Sequence, residues 1–267
     1  MIITKVLMCK PTYFDIEYSI NPYMDVNNKV NKEKAEEQWN YAYRVLESLG
    51  IEIVLLDPAE GCPDMTFIGD AGIVCDNKFL ASNFRHAERA VEVPHYMEWM
   101  YKNGLECHTI PDNIAFEGLG DVVWFNKEVL YGYGQRSSKE ALDYVLKVYP
   151  DLNLRGVLHL KDDGFYHLGL AIALIDENTV LYYPSAFTDE SLEYLRQTYE
   201  RRIECTEQDA KEFFVCNNIP IGNKLIMDNC TTELEEKLNH YGYEVIKTDM
   251  SEFKKSGGSV RCLILSL

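Results

Sequence analysis

A cysteine near the end of the chain is the first candidate for chemistry. Cys262 closely follows the glycine pair Gly257-Gly258, has Arg261 beside it, and is expected to lie where a loop becomes a short apolar strand. A thiolate is a strong nucleophile, and nearby backbone N–H groups and cations lower its pKa, so this arrangement can present a nucleophile. Most cysteines in apolar strands are packing residues. Cys262 therefore needs a histidine and a carboxylate from elsewhere in the chain.

Four other polar residues interrupt apolar runs, and these are Asp70, Glu117, His167 and Asn217. Each lies beyond a predicted helix end at an offset like that of Cys262, so a repeated fold would bring all five together. In such a site Cys262 is the nucleophile, His167 carries the proton, and Glu117 favours the imidazolium form. Carboxylates such as Asp70 would face the substrate, and they pair well with a guanidinium. The set predicts a cationic substrate.

The elements that must position these residues repeat along the chain. Residues 32–49 place apolar side chains on one helical face, Gly50 ends that helix, and residues 51–56 are typical of a strand. The same helix and strand pattern returns at 94–103 and 105–110, at 137–149 and 154–160, at 188–202 and 203–205, and at 232–241 and 243–247.

Capping residues mark three of the predicted helix starts. Ser137 with Glu140, and Thr232 with Glu235, fit the capping-box pattern. Thr188 opens the helix between them. These residues set the expected first turns of the last three helices.

Helix ends near residues 50, 104, 150, 202 and 242 have a spacing typical of a repeated supersecondary unit. Five such units predict an α/β fold, a five-bladed α/β propeller with pseudo-fivefold repeats around a central active site. We expect a single catalytic domain over residues 1–267, closed by residues 260–267 returning to a first strand at 5–9. A doubly wound parallel sheet is the alternative. The short turn at 176–179 argues against it because such a turn implies an antiparallel hairpin, and no Gly-x-Gly-x-x-Gly opens a helix.

The overall charge limits the partners. The formal net charge of −17 disfavours nucleic acid and anionic membranes and favours a small cationic molecule. No apolar run reaches the length of a membrane span, and residues 1–11 lack the pattern of a signal peptide. The eight cysteines lie apart with no Cys-x-x-Cys, so neither a metal site nor a disulfide framework is expected. We expect a cytoplasmic protein without a cofactor, as a monomer or a homo-oligomer.

Several segments together resemble the guanidine-modifying pentein enzymes, which include arginine deiminases, dimethylarginine dimethylaminohydrolases and amidinotransferases. The segments are 9–24, 63–72, 116–121, 166–168 and 257–262. With residues 181–187, their order is most similar to the arginine dihydrolase domain of cyanobacteria. The resemblance covers nearly the whole chain.

This resemblance implies a reaction. Cys262 would attack the guanidinium carbon of arginine or N-methylated arginine, an amine would leave, and water activated by His167 would hydrolyse the thiouronium intermediate. The product would be citrulline, or ornithine after a second hydrolysis. No metal or organic cofactor takes part in such a reaction.

The resemblance also implies residues that bind the substrate. Arg136 matches an arginine that binds the substrate carboxylate. A further arginine is expected where this chain has Asn83, and Arg85 and Arg89 are its nearby substitutes. We take Arg85 as a candidate for binding the substrate, and Arg136 is the stronger candidate of the two.

Asp70, Asp121, Asn21 and Asn217 complete the substrate-binding candidates. Asp121 is equally suited to bracing the loop at residues 118–120 by accepting backbone N–H groups. Asn21 would act from a lid, although a turn residue before a proline explains it as well.

Two departures from the family pattern concern the substrate. Deiminases and dihydrolases have His-x-Asp where this chain has Gly169 after Leu168, and dimethylarginine hydrolases also lack that acid. The dihydrolases have Asn in place of Asp70, and Asp there resembles enzymes that stop at citrulline. His159 lies in a His-Leu-Lys sequence like one around the catalytic histidine of dimethylarginine hydrolases, but His167 fits the following strand pair better. We interpret His159 as a residue that packs in or near its strand.

Two other functions stay open. In an amidinotransferase an amine acceptor replaces water, and in a non-catalytic ring protein of the initiation-factor type a ligand binds without turnover. The charge of −17 and the set of Cys262, His167 and Glu117 argue against the second. Asp64, which follows Pro63, is interpreted as the start of a turn.

Overall fold

The computed structural model describes residues 3–267, which form an α/β fold with five three-stranded sheets. The strands are β1 (Lys5–Cys9), β2 (Glu52–Leu56), β3 (Gly72–Cys75), β4 (Lys78–Ala81), β5 (Glu106–His108), β6 (Val122–Phe125), β7 (Glu128–Tyr133), β8 (Asn153–His159), β9 (Ile172–Leu174), β10 (Thr179–Tyr182), β11 (Arg201–Glu204), β12 (Ile219–Ile221), β13 (Lys224–Met227), β14 (Glu244–Lys247) and β15 (Leu265–Ser266). The α-helices are α1 (Lys32–Ser48), α2 (Ala87–Ala90), α3 (Val93–Lys102), α4 (Gly118–Asp121), α5 (Ala141–Val148), α6 (Leu168–Ala171), α7 (Asp189–Thr198), α8 (Glu207–Lys211), α9 (Thr232–His240) and α10 (Ser251–Lys254). Short 3₁₀ turns span Pro63–Thr66, Ile68–Ala71, Pro184–Ala186 and Val260–Leu263.

All five sheets share one topology. In each, the middle strand pairs antiparallel with one neighbour and parallel with the other, as β4 does with β3 and β5. The parallel partner follows a crossover helix, since parallel strands cannot be joined by a tight turn. The alternative of one doubly wound sheet is wrong for the described residues, because each of their sheets contains three strands.

The first sheet joins the two ends of the chain. Its middle strand β1 pairs parallel with β2 and antiparallel with β15, where Val6 lies opposite Ser266. The predicted return of the C-terminal segment to the first strand is thus confirmed.

Local sequence explains the longest helix. The side chain of Asn31 accepts a hydrogen bond from the N–H of Lys34 at 2.9 Å and caps α1. Ala35, Trp39 and Leu46 on its inner face are buried. The helix ends before Gly50, whose φ of +80° favours glycine.

The predicted cap at Ser137 is wrong. Helix α5 begins at Ala141, and no side chain caps it. The Ser137 hydroxyl instead donates to Asp121 at 2.6 Å. A serine followed three residues later by glutamate fits the capping pattern, but here the hydroxyl has a carboxylate partner inside the protein.

Two other helix ends differ slightly from expectation. Thr231, one residue before the predicted cap, is the N-cap of α9. Thr188 caps α7 as predicted, accepting from the N–H of Ser191, but α7 ends at Thr198 and the following residues form β11.

One helical turn precedes the first strand of several sheets and carries the candidate residues. Asp70 lies in the 3₁₀ turn before β3, Glu117 comes directly before α4, and His167 directly before α6. Cys262 lies in the 3₁₀ turn before β15 and not, as expected, where a loop becomes the strand. Asn217 lies just before β12.

Four buried apolar clusters fill the space between the sheets and their helices. The largest side chains that are fully buried include Trp39, Tyr96 and Phe253. Within residues 3–267, no helix combines the length and the apolar character needed to cross a membrane.

Candidate active site

His167 lies at the centre of a buried hydrogen-bond network. Its Nε2 atom is 2.9 Å from Oε2 of Glu117, and its Nδ1 atom is 3.8 Å from Oδ1 of Asp70. Oε2 of Glu117 also accepts a hydrogen bond from Nη1 of Arg136 at 2.8 Å. These four residues are each at most 5% exposed. The fold thus brings together four of the residues predicted for the site.

Neighbouring charges set the protonation of this network. Burial lowers the pKa of His167, but Asp70 and the hydrogen bond to Glu117 together raise it above its ordinary value. Burial raises the pKa of Glu117, but Arg136 and His167 hold it well below its usual range. The arrangement therefore favours an imidazolium beside a carboxylate, and an imidazolium can donate a proton to a leaving group.

The backbone of α4 allows His167 to approach closely. A Cβ atom on Gly120 would lie 2.8 Å from Nδ1 of the His167 ring, closer than van der Waals contact. Glycine is required here because the ring packs directly on the backbone.

Asp70 is held by a second buried network. Arg89 donates from Nη1 to Oδ2 of Asp70 at 2.6 Å, and from Nε and Nη2 to Glu92 at 3.0 and 2.9 Å. The hydroxyl of Tyr96 donates to Glu92 at 2.6 Å. The ring of Phe84 lies 4.5 Å from the guanidinium. Arg89 therefore holds Oδ2 of Asp70, and Oδ1 of the same carboxylate is directed towards His167.

The thiol of Cys262 contacts Asn217. Nδ2 of Asn217 donates to Sγ of Cys262 at 3.2 Å, and Oδ1 of Asn217 accepts from the backbone N–H of Arg261 at 3.0 Å. Burial and then the Asp70 carboxylate raise the pKa of the Cys262 thiol to about 11. Both effects favour the protonated thiol.

A strap formed by residues 13–24 covers the site. Nδ2 of Asn21 donates to the carbonyl oxygen of Ser256 at 3.0 Å, and the carbonyl oxygen of Ile20 accepts from Nη2 of Arg136 at 3.0 Å. Asn21 thus ties the strap to the loop before the glycine pair. The cavity beneath has a volume of about 20 Å³, room for a water molecule. Substrate entry therefore requires the strap to open.

Asp121 braces the backbone of the site. Its Oδ1 accepts from the N–H of Leu168 at 3.0 Å, and its Oδ2 accepts from the N–H and hydroxyl of Ser137 at 3.1 and 2.6 Å. The Ser137 hydroxyl in turn accepts from the N–H of Glu117 at 3.0 Å. Of the two roles considered for Asp121, the contacts fit bracing, and they fix the chain beside both His167 and Glu117.

Arg85 lies at the rim of the buried network. Its backbone N–H donates to Oε1 of Glu117 at 3.1 Å, and its Nε donates to the carbonyl oxygen of Arg136 at 3.0 Å, while the residue itself is exposed. Asn83 is directed elsewhere, because its amide nitrogen donates to carbonyl oxygens of the loop at 111–114.

His159, at the end of β8, lies apart from the site. The residue is exposed, and its ring stacks on Tyr133 with ring centroids 4.7 Å apart. This packing agrees with its interpretation as a strand residue.

Asp64 is the candidate that sequence reasoning missed. It is 3% exposed, lines the cavity under the strap, and accepts from the hydroxyls of Tyr18 at 2.8 Å and Ser256 at 3.1 Å. Burial raises its pKa. Its position in the same short segment as Asp70 was the available signal, since that segment carries part of the family resemblance.

Comparison with known proteins extends these observations. The family model described as N,N dimethylarginine dimethylhydrolase, eukaryotic, matches residues 10–267. An uncharacterised protein of Caenorhabditis elegans is 37% identical over 273 residues, which cover 100% of this chain and 94% of that protein. An N(G),N(G)-dimethylarginine dimethylaminohydrolase of Mycobacterium tuberculosis is 33% identical, covering 97% of this chain and 84% of that enzyme.

A bifunctional arginine dihydrolase/ornithine cyclodeaminase of Nostoc is 36% identical over 97% of this chain, but the chain spans 37% of that protein's length. Among solved structures, the N-terminal domain of ArgZ, covalently bound to a reaction intermediate, matches with a TM-score of 0.92 and 33% identity. That match covers 98% of this chain and 96% of the domain. The match of a family model to residues 10–267, together with these relatives, shows that the chain belongs to the N,N-dimethylarginine dimethylhydrolase family.

Proposed function

We propose that this chain hydrolyses the guanidino group of arginine or N-methylated arginine through a covalent thiouronium intermediate on Cys262. The observation that carries the proposal is His167 between two buried carboxylates, Glu117 and Asp70, of which Asp70 also acts on the Cys262 thiol. The product is citrulline, or ornithine if the same site hydrolyses twice. The activities named for the relatives, arginine dihydrolase and dimethylarginine dimethylaminohydrolase, support this class.

The proposed architecture is a five-bladed α/β propeller, a single domain of residues 1–267 with the site on its axis. Side-chain contacts between different sheet units support it. Glu117, before the sheet of β6, contacts His167, before the sheet of β9. Asn217, before the sheet of β12, contacts Cys262, before β15. Residues from four of the five units thus meet in pairs.

The substrate guanidinium is placed beside Asp70. Asp64, Asp70 and Arg136 line the cavity, so it offers two acids for a cation and a guanidinium for a carboxylate. A second lining arginine, Arg89, is already paired with Asp70. Asn21 lines the cavity from the strap, and Arg85 contacts Glu117 and Arg136. Both would contact the amino acid end of the substrate.

Substrate binding would also activate the nucleophile. The Asp70 carboxylate raises the pKa of the Cys262 thiol, and a guanidinium paired with Asp70 offsets that charge. The cation itself favours the thiolate. The thiol would therefore lose its proton in the complex more readily than in the free protein.

The reaction then follows in two stages. The Cys262 thiolate adds to the guanidinium carbon, and His167 donates its proton to the departing nitrogen as the C–N bond breaks and ammonia or a methylamine leaves. Neutral His167 next accepts a proton from water, whose oxygen attacks the thiouronium carbon. The C–S bond breaks, and citrulline and the Cys262 thiolate are released. Glu117 stabilises each imidazolium, and Asn217 donates to the sulfur.

The compartment we propose is the cytoplasm. All eight cysteines are free thiols in the structure, including the neighbouring pair Cys205 and Cys216. Free thiols are typical of a reducing compartment. The proposed steps use side chains of this chain, and we propose no cofactor.

The test is to measure citrulline, ornithine and released amine from arginine, monomethylarginine and dimethylarginine. Cys262→Ser should abolish product formation, whereas Cys107→Ser, a half-buried cysteine away from the site, should retain it. Activity that survives Cys262→Ser would exclude the mechanism. A new guanidino product that forms when glycine is supplied would identify an amidinotransferase instead.

A further inference from the structure

A second cavity lies apart from the guanidino site. Its volume is about 40 Å³, and its wall is largely apolar, with Leu119, Trp124 and Ile264 among the lining side chains. It shares no lining residue with the cavity beneath the strap. Its polar lining includes the side chain of Arg261, the residue that directly precedes the proposed nucleophile.

The guanidinium of Arg261 lacks a charged partner. Throughout residues 3–267, no carboxylate oxygen lies within 4.0 Å of its nitrogens. Its Nη2 donates to the carbonyl oxygen of Val122 at 3.3 Å. Burial lowers its pKa, and the neighbouring Cys262 and Asp70 only partly oppose that effect. Arg261 is half-buried, whereas the fully buried Arg89 and Arg136 each pair with a carboxylate.

Two residues that line this cavity carry buried side-chain atoms without partners. The hydroxyl of Ser266, 3% exposed, has no hydrogen-bond partner among the described residues, nor has the side-chain oxygen of Asn218, 1% exposed. A hydroxyl can donate to an anion, and an amide oxygen can accept from a water that hydrates it. Buried polar groups normally have partners. Both atoms are buried beneath the cavity wall, so a ligand reaches them only if their side chains turn towards it.

The glycine at position 169 explains why Arg261 is unpaired. A Cβ atom on Gly169 would lie 3.0 Å from Nη1 of Arg261. The acid that deiminases and dihydrolases carry in their His-x-Asp sequence would therefore extend towards this guanidinium. The chain has the cation but lacks the side chain that would neutralise it.

We propose that a small monovalent anion of halide size binds the Arg261 guanidinium in this cavity and slows attack by Cys262. The volume admits an ion comparable with one to three water molecules and excludes a larger one. The rate effect is electrostatic, because Arg261 favours the thiolate next to it and a bound anion cancels that charge. The net charge of −17 opposes any anion, so we expect millimolar affinity. Only the effect on Cys262 rests on the proposed function, whereas anion binding does not.

Binding is tested with bromide, whose anomalous scattering locates it in a crystal of the full chain. We expect bromide beside the Arg261 guanidinium, and its loss in the variant Arg261→Met. Bromide sites elsewhere, with none at Arg261, would overturn the proposal.

The rate effect is tested by alkylating the free protein with iodoacetamide and quantifying modified Cys262 by mass spectrometry. Sodium chloride is compared with sodium gluconate at equal ionic strength, because gluconate is too large for the cavity. Chloride should slow alkylation about threefold, equivalent to roughly half a unit in the thiol pKa. This readout needs no turnover, so it stands even if neither arginine nor methylarginine is hydrolysed.

Three variants make the test specific. Arg261→Met should remove the difference between chloride and gluconate, and Gly169→Asp should remove it too, by supplying an internal carboxylate. Arg44→Met, which removes an exposed cation on α1, should keep it. A chloride effect that persists in Arg261→Met would show a general salt effect and refute the proposal.

Discussion

Replacing Glu117 by glutamine tests the buried charge network most directly. The substitution keeps the shape of the side chain, but removes the charge that Arg136 and His167 share at 2.8 and 2.9 Å. Arg136 is 3% exposed, so its guanidinium would remain buried without its carboxylate. Removing one member of a buried pair costs about 3–5 kcal/mol. The total free energy of unfolding of a domain is about 5–15 kcal/mol, so Glu117→Gln should fold but be far less stable.

A double-mutant cycle separates the pair from the packing. Arg136→Met alone should also lower the free energy of unfolding. The double variant Glu117→Gln with Arg136→Met should lose about 2–3 kcal/mol less than the sum of the two single losses, because it leaves no charge of this pair unpaired. Urea unfolding monitored by tryptophan fluorescence measures each free energy. The matched control is Glu128→Gln with Arg155→Met, a pair at 3.0 Å whose side chains are 23% and 27% exposed. Its coupling should stay below about 1 kcal/mol.

The same variant has a pH signature. The pKa of His167 is raised in the folded chain, so its protonated form stabilises the fold below the unfolded value, and this contribution is lost as the pH rises through the folded pKa. Glu117→Gln removes one cause of the raised pKa. Its loss of stability should therefore be larger near about pH 6 than near about pH 9. The charge network would be refuted if the losses of unfolding free energy in Glu117→Gln and Arg136→Met were additive within about 0.5 kcal/mol and the loss in Glu117→Gln did not depend on pH.

Three further variants probe the site. Asp70→Asn should speed iodoacetamide alkylation of Cys262, because the carboxylate raises the thiol pKa, while arginine turnover falls; a parallel change in both rates would contradict this role. Asn217→Leu removes the donor at 3.2 Å from Sγ and should slow alkylation about tenfold or more, since hydrogen bonds to charged groups contribute about 1.5–3 kcal/mol. Gly120→Ala places a Cβ atom 2.8 Å from the His167 ring and should lower kcat and the thermal midpoint together, and unchanged kcat would show that the ring position is not critical.

Local patterns predicted most of the elements. The apolar period of residues 32–49 and the glycine after it locate α1, which spans Lys32–Ser48. The five-unit count predicted that the C-terminal segment would pair with the first strand, as β15 does with β1. Such features depend on neighbouring residues or on their order along the chain, and one sequence contains that information.

Partners of buried polar groups could not be predicted in this way. Ser137 fits a helix cap, but its hydroxyl bonds to Asp121, and Asp64 fits a turn, yet it lies in the site cavity. Arg89 was considered only as a nearby substitute for an arginine that the family resemblance implies, and its pairing with Asp70, 19 residues away, is set by how the segments pack. A local pattern specifies that a group can donate or accept, whereas tertiary packing selects its partner.

Arg136 shows how the strap and the site are linked. The arginine was assigned to the substrate carboxylate, and in the structure its Nη1 donates to Glu117 while its Nη2 donates to the carbonyl oxygen of Ile20 in the strap. The strap must open for substrate to enter, and opening it frees the Nη2 donor. The contact between Nη1 of Arg136 and Glu117 can stay in place while the strap opens, and Glu117 is the partner of His167. A substrate carboxylate that takes the place of the Ile20 carbonyl would therefore bind without disturbing the pair on which proton transfer depends.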